Sequence, residues 1–386
     1  MGIYSEYLDQ LKSFEQIIAQ RKEQLKRISA IRKRDVLVYA SDLSKSNAPT
    51  QIDYSDLLPF SDQLSNLKGD AIDVIIETPG GFAEVVEDMV KLLRGKYEKV
   101  GIIIPGYCKS AGTIFAMAGD EILMGSMSAL GPIDAQIMFN NKRFSAEAFL
   151  EGLEKIKTEV MSTGKLNAAY IPMLQNLSPG EIQHCENAQN FSQKLVYEWL
   201  AKYKFKYWTT HSSTSKPVTE EDKLTRAKDI AERLCKQSEW LTHGRSIKIE
   251  DLEQMKLRIT NYNLSADLKD AITRYYTLLR MTFDTNMYKM IETVESQIYR
   301  FVVGPNPGGA PIPEKQKIAG VDFECPKCKE HFLIQLNIGI SEPLKPGNVP
   351  YPVDDNVFKC PNCGAQSNLA NLRLQIEAQT GKKIVN

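Results

Sequence analysis

Three short apolar runs, "DVLVYASDL" from residue 35, "AIDVIIETPGG" from residue 71 and "KVGIIIPG" from residue 99, constrain this chain more than any other feature. Each is rich in Val and Ile, each stops at Gly, Pro or a polar turn, and helix-length segments such as "FAEVVEDMVKLLRGK" separate them. A strand that is apolar at successive positions keeps no face for water. Such runs therefore predict βαβ units whose parallel sheet is buried on both sides, an α/β fold.

The rest of the chain arranges itself around that sheet. Residues 3 to 31 place Ile3, Tyr7, Leu11, Phe14, Ile18, Leu25 and Ile28 at three- and four-residue steps among Lys, Glu and Gln. This predicts one amphipathic helix over residues 1–34 whose apolar stripe needs a partner, packing on its own domain being preferred to a dimer contact. From about residue 144 the pattern turns helical, broken by "THGRSIKIEDLEQMKLRI", which reads as a short strand, a helix and an exit strand; a further helix-rich piece ends near Arg300. The Pro- and Gly-rich "VVGPNPGGAPIPEKQK" predicts a linker over 301–320. The expected organisation is a helix over 1–34, a main domain over 35–300, that linker, and a small domain with its tail over 321–386.

The last segment carries two matched C-x-x-C pairs, "CPKC" (Cys325, Cys328) and "CPNC" (Cys360, Cys363), 31 residues apart. A two-residue gap turns both thiolates of a pair toward one ion, and two such turns complete a tetrahedral site suited to structural Zn2+. Four sulfurs leave no position for a catalytic water. The segment resembles a zinc ribbon, a module that serves as a docking surface for proteins or nucleic acids. His331 is expected on the surface, and Cys108, Cys185 and Cys235 as free thiols, in keeping with a reducing, cytoplasmic setting. Lys+Arg and Asp+Glu both number 48, so no net field argues for nucleic acid or an anionic membrane, and no apolar run is long enough for a membrane span.

The sharpest question is posed by "GYCKSAGTIFAMAGDEI", residues 106 to 122. Ser110 sits between a strand and a helix. Taken alone it is explained as the helix N-cap. The same place suits a nucleophile, because amides at the helix start can receive the charge that develops on an attacked oxygen, and glycines in "ETPGG" let a second backbone approach. The ordered set "ETPGG", "SAGT" (110–113), "LGPIDAQ" (130–136) and "THGRSIKIEDLEQMKL" (242–257) resembles the ClpP and signal-peptide-peptidase superfamily, which shares the crotonase-like fold. Within it the set is most similar to the serine dehydrogenase proteinase family. The resemblance runs over roughly residues 35 to 260. It implies a ClpP/crotonase-like fold with helical additions, Ser110 as nucleophile, and an oxyanion hole formed by Gly80, Gly81 and Ala111.

The base stays open at this stage. ClpP has a histidine in the strand after the nucleophile helix, whereas "SMSALGPID" has none. His243 in the "THG" turn can accept a proton near neutral pH, and Asp134 could orient it or the substrate. Lys142 follows "GPID" where the signal-peptide-peptidase branch carries a lysine, but "NNKRFS" reads as an exposed loop. Lys109, beside the serine, is expected to point away. The preferred function is a serine endopeptidase acting on peptide or protein substrates through an acyl-enzyme. The alternatives are an acyl-CoA enzyme, disfavoured by "KSAGT", and a catalytically silent scaffold that recruits a partner through the ribbon. Proteins of the resembled fold form rings or stacked trimers, so a homo-oligomer is expected.

Overall fold

In the computed structural model the chain is described over residues 2–139, 142–175, 177–211, 214–302 and 317–385. A seven-stranded sheet runs in the order Gln297–Phe301, Met287–Thr293, Asp35–Ser41, Ala71–Glu77, Lys99–Ile104, Glu121–Met124 and Thr260–Asn261. The last five strands are mutually parallel, and the hairpin Met287–Thr293/Gln297–Phe301 extends the sheet antiparallel to Asp35–Ser41. The Val/Ile runs thus form the central strands, as their composition predicts.

Side chains alternate between two apolar layers because successive residues of a strand point to opposite faces. Val36, Val38, Ala40, Ile75, Ile103 and Leu123 pack against the helices Phe14–Arg32 and Ala266–Phe283. Leu37, Tyr39, Val74, Ile76, Ile102 and Ile104 face the other way. There they meet the helices Leu57–Ser65, Ala83–Lys96 and Ala111–Met117, with Leu195 and Val196 of Pro179–Trp199 and Ile230 and Leu234 of Glu220–Cys235 behind them. The sheet is therefore the middle of three layers.

Two expectations change. The N-terminal stripe is two helices, Ile3–Gln10 and Phe14–Arg32, because Ser13 opens a new one. Its hydroxyl accepts from Gln16 N at 3.3 Å while Gln16 Oε1 accepts from Ser13 N at 3.3 Å, a reciprocal capping box. The stripe finds its partner within the chain, with Phe14, Leu25 and Ile28 buried against the sheet. The stretch before Arg300, read as helix-rich, contains the edge hairpin. Its alternation is masked by two buried charges: Lys289 donates to Asp56 Oδ2 at 2.8 Å, and Glu292 accepts from Arg21 Nε at 2.8 Å.

Residues 303–316, most of the expected linker 301–320, lie outside the described residues. Beyond them Ile318–Glu324 pairs antiparallel with His331–Ile338, and Val357–Lys359 with Gln366–Asn368; each hairpin carries a C-x-x-C turn at its tip. The helix Ala370–Thr380 rests against Phe14–Arg32, where Glu377 Oε2 accepts from Phe14 N at 3.0 Å and Ala378 joins the apolar layer. Among the described residues no helix is long and apolar enough to cross a membrane.

Candidate active site

The parallel strands end in loops that hydrogen bonds join into one frame. Thr78 N donates to Tyr107 O at 2.9 Å and Lys109 N to Thr78 O at 3.0 Å, tying the "ETPGG" exit to the segment before Ser110. Tyr107–Cys108 pairs parallel with Ala129–Leu130. Leu130 and Ile247 then exchange both backbone bonds, at 3.0 and 2.9 Å. Four loops separated in sequence are thus held at one edge of the sheet.

Ser110 stands at the N-cap position of Ala111–Met117 but does not act as a cap. Its side chain makes no capping bond, and its backbone sits at φ 51°, ψ −119°. A non-glycine residue in that region carries about 1–3 kcal/mol of strain and persists only where its surroundings over-determine it. Here Thr113 N and Ile114 N donate to Ser110 O at 2.8 and 3.3 Å on one side, and the Thr78 pairing fixes the other. Ser110 is half-buried, and its hydroxyl makes no hydrogen bond among the described residues.

The three residues expected to form an oxyanion hole divide into two kinds. Gly80 donates its amide to Thr78 Oγ1 at 3.1 Å and its carbonyl accepts from Ile52 N at 2.7 Å, so it is not a free donor. What it supplies is space: at φ 102°, an added Cβ would lie 2.6 Å from Ser110 Cβ, 2.7 Å from Lys109 O and 3.0 Å from Ala111 N. The amides of Gly81 and Ala111 make no hydrogen bond among the described residues. Of the three, these two amides are left without an acceptor.

Asp134 and His243, 109 residues apart, meet: His243 Nδ1 contacts Asp134 Oδ1. Asp134 has a side-chain exposure of 0%, His243 of 30%, and Asp134 Oδ2 also accepts from Gln136 Nε2 at 2.7 Å. An acidic acceptor at Nδ1 places the proton there and leaves the lone pair on Nε2, the nitrogen turned away from Asp134. Ser110 and His243 are not hydrogen bonded to each other. Lys142 opens the strand Lys142–Ser145, antiparallel to Gln136–Phe139, rather than lying in a loop; its side chain lies outside the described residues.

The partners of Lys109 were not legible in the sequence. Its ammonium donates to Leu130 O, Arg245 O and Ser246 Oγ at 3.0, 2.9 and 3.1 Å, and not to Ser110. Its adjacency to Ser110 was the only signal. Beyond Gln136 an apolar cavity of about 230 Å³ is lined by Ile137, Phe144, Phe149 and Leu177, with Glu181 and His184 among its polar residues.

The four C-terminal cysteines converge, their sulfurs all within 4.8 Å of one another. Cys325 to Cys363 and Cys328 to Cys360 are both 3.7 Å apart. Metal–sulfur bonds of about 2.3 Å in a tetrahedron put sulfurs about 3.8 Å apart, so the spacing fits a single thiolate-bound ion. The two turns match: Lys329 N donates to Cys325 O and Gly364 N to Cys360 O, both at 2.9 Å, with φ 61° and 69° at the donors. His331 is exposed beside Asp322, outside the cluster. Cys108, Cys185 and Cys235 are buried and unbridged.

Residues 63–172 match the model of a family described as ClpP-like SDH-type serine proteinase. That stretch contains Gly80, Gly81, Ser110, Ala111 and Asp134 and ends before His243. The chain is also similar to two uncharacterised proteins of Methanocaldococcus jannaschii. One is 28% identical over 204 residues, covering 53% of this chain and 56% of the relative. The other is 39% identical over 70 residues, covering 18% and 24%. The chain thus spans about half the length of the first relative and a quarter of the second. Among solved structures it is similar to a serine-to-alanine mutant of the 1510-N membrane-bound stomatin-specific protease, at 14% identity, a TM-score of 0.33, and coverage of 57% of this chain and 79% of that one.

Proposed function

We propose that this chain is a serine endopeptidase with Ser110 as nucleophile, His243 as base and Asp134 as the carboxylate that orients it. The observation that carries the reading is the Asp134–His243 pair, a buried carboxylate against one imidazole nitrogen on loops bonded to the frame that strains Ser110. In the reaction Ser110 Oγ attacks a peptide carbonyl while His243 Nε2 takes the hydroxyl proton. The oxyanion rests on the Gly81 and Ala111 amides, and Gly80 leaves room for the tetrahedral centre. His243 then returns the proton to the leaving amine, and water, deprotonated by the same nitrogen, clears the acyl group. Asp134 favours His243 over Lys142 as base, since a lysine would need a depressed pKa to serve.

In this reading the apolar cavity beyond Gln136 receives an apolar side chain of the substrate. The four cysteines hold a structural Zn2+, making the C-terminal module a zinc ribbon that docks a protein or nucleic-acid partner rather than taking part in hydrolysis. The chain assembles as a homo-oligomer, which light scattering tests directly.

A fluorophosphonate probe tests the chemistry. Intact-mass analysis is expected to show one adduct, mapped to Ser110, abolished in Ser110→Ala and strongly slowed in His243→Ala. Folded wild-type protein that takes no label, or an adduct that survives Ser110→Ala, overturns the reading in favour of a silent scaffold.

A further inference from the structure

Lys109 is outside the proposed triad, yet its side chain joins the segments that carry all three members. It immediately precedes Ser110, and its stem crosses Gly131, where an added Cβ would lie 2.7 Å from Lys109 Cδ and 3.3 Å from its Cα and Cβ. The glycine of "LGP" is the floor on which the lysine lies. At the far end the ammonium's three N–H groups meet three acceptors: Leu130 O, four residues before Asp134, and Arg245 O and Ser246 Oγ, just after His243.

These acceptors are uncharged, and among the described residues Lys109 has no carboxylate partner. The groups facing it from neighbouring elements are Lys248, whose Nζ donates to Ser128 O at 2.8 Å, the Cys108 thiol, and the Tyr107 ring with its centroid 5.6 Å from Nζ. A half-buried cation beside a second cation is a poor device for stability alone. It is a good one for drawing together carbonyls from two loops.

We propose that Lys109 is a positioning residue that clamps the His243 turn to the Ser110 loop and so sets the distance over which the base acts. This inference rests on the triad proposed above. Without the clamp, the turn keeps the Leu130–Ile247 bridge behind it and the Asp134 contact, and His243 is free to swing about them. Misplacement of a catalytic group by about 1 Å lowers rates on the order of 100-fold.

The clamp has a pH signature. Burial, reinforced by Lys248, brings the Lys109 ammonium down to about 8. It is charged and three-handed below that pH; as pH rises through it, the amine loses one N–H and its charge, and the clamp loosens. An arginine stays charged throughout.

The experiment follows the rate of Ser110 phosphonylation from pH 6 to 10 in the full chain and in Lys109→Arg, Lys109→Met and His243→Ala. The wild-type rate should fall as pH passes about 8, Lys109→Arg should hold its rate beyond that point, and Lys109→Met should be slowed roughly 10- to 100-fold at pH 7. If Lys109→Met fails to fold, the arginine comparison decides. Wild-type labelling speed in folded Lys109→Met, or the same alkaline fall in Lys109→Arg as in wild type, overturns the clamp while leaving the triad intact. No labelling of wild type sinks the triad and the clamp with it.

Discussion

Replacing Gly80 by alanine asks the site to accept one methyl group where the structure leaves no room. The new Cβ would meet Ser110 Cβ at 2.6 Å, Lys109 O at 2.7 Å and Ala111 N at 3.0 Å, all backbone or backbone-proximal atoms that cannot rotate away. At φ 102° the residue also lies where L side chains rarely settle. The conformational strain is worth about 1–3 kcal/mol and the overpacking a further 1–3 kcal/mol, together roughly 2–6 kcal/mol. At roughly 1–2 °C per kcal/mol for a cooperative unit of this length, Tm should fall by at least about 2 °C. The chain can relieve the overlap by pushing Ser110 Cβ and Ala111 N outward, which moves the proposed nucleophile and one proposed oxyanion donor together, so phosphonylation should drop at least about tenfold even in the fraction that folds. Gly95→Ala is the control: it lies in the helix Ala83–Lys96 with nothing within 4 Å of an added Cβ, and should gain up to about 1 kcal/mol from helix propensity. Gly80→Ala that melts and labels like wild type would refute the close approach of the two loops.

Asp134→Asn should leave the melting curve nearly unchanged but lower phosphonylation on the order of 10⁴-fold, since the amide no longer fixes the His243 tautomer; a loss under tenfold would show that Asp134 does not orient the base. Purified protein should contain one zinc per chain by elemental analysis, and chelation or Cys360→Ser should lower Tm while leaving the initial labelling rate of still-folded protein within about twofold; metal-free protein with wild-type Tm would contradict the site. Glu77, which accepts from Tyr107 N at 2.7 Å and Tyr276 Oη at 3.0 Å, is lifted by burial from 4.5 to about 7. The folded chain therefore holds a proton that the unfolded chain releases between those values, and its contribution, full below pH 4.5, is lost as pH rises through 7. Glu77→Gln removes that dependence, so the stability difference should move in the variant's favour by about 3 kcal/mol between pH 4.5 and 8; a flat difference would refute the raised carboxyl.

What the sequence made legible follows the physics of each signal. Val and Ile runs betrayed the parallel strands because a strand buried on both faces has no other composition available. The edge hairpin stayed hidden because Lys289 and Glu292 break its apolar alternation, and their partners, Asp56 and Arg21, lie more than 200 positions away in the chain. Gly80 and Gly81 are indistinguishable as letters; only the Thr78 hydroxyl, which accepts the Gly80 amide, tells them apart and leaves the Gly81 amide without an acceptor. The pairing of Asp134 with His243 was one of two roles open to Asp134 in the sequence, the other being to orient the substrate, because the helical segments between the two residues carry no signal that decides it. The Lys142 strand was missed since "NNKRFS" is polar at nearly every position, and the reach of Lys109 depends on the room that Gly131 leaves 22 residues later.

The two apolar layers also explain why the cysteine cluster and Ser110 should answer to different perturbations. The C-terminal module meets the rest of the chain through the Lys383–Glu15 ion pair at 2.7 Å and through Ala370–Thr380, where Arg373 Nε donates to Glu377 Oε1 at 2.9 Å and Glu377 Oε2 receives Phe14 N. That carboxylate satisfies an orphan amide at the start of a nineteen-residue helix and sits at the positive end of its dipole. Phe14–Arg32 packs on the sheet through Val36, Val38, Ile75 and Ile103. Ala111–Met117, which carries Ser110 at its head, packs on the opposite face against Ile102 and Ile104. A loosened cluster can release Glu377 and weaken one covering layer, but to reach Ser110 the disturbance must cross strands paired on both sides in the middle of the sheet. The frame that strains Ser110 lies at the strand ends and draws its bonds from Thr78, Tyr107, Leu130 and Ile247, none of which is hydrogen bonded through its backbone to the module among the described residues. Under the proposed function, a module anchored this way suits the recruitment of a partner, while the rate of acylation is expected to be set by the loops across the sheet.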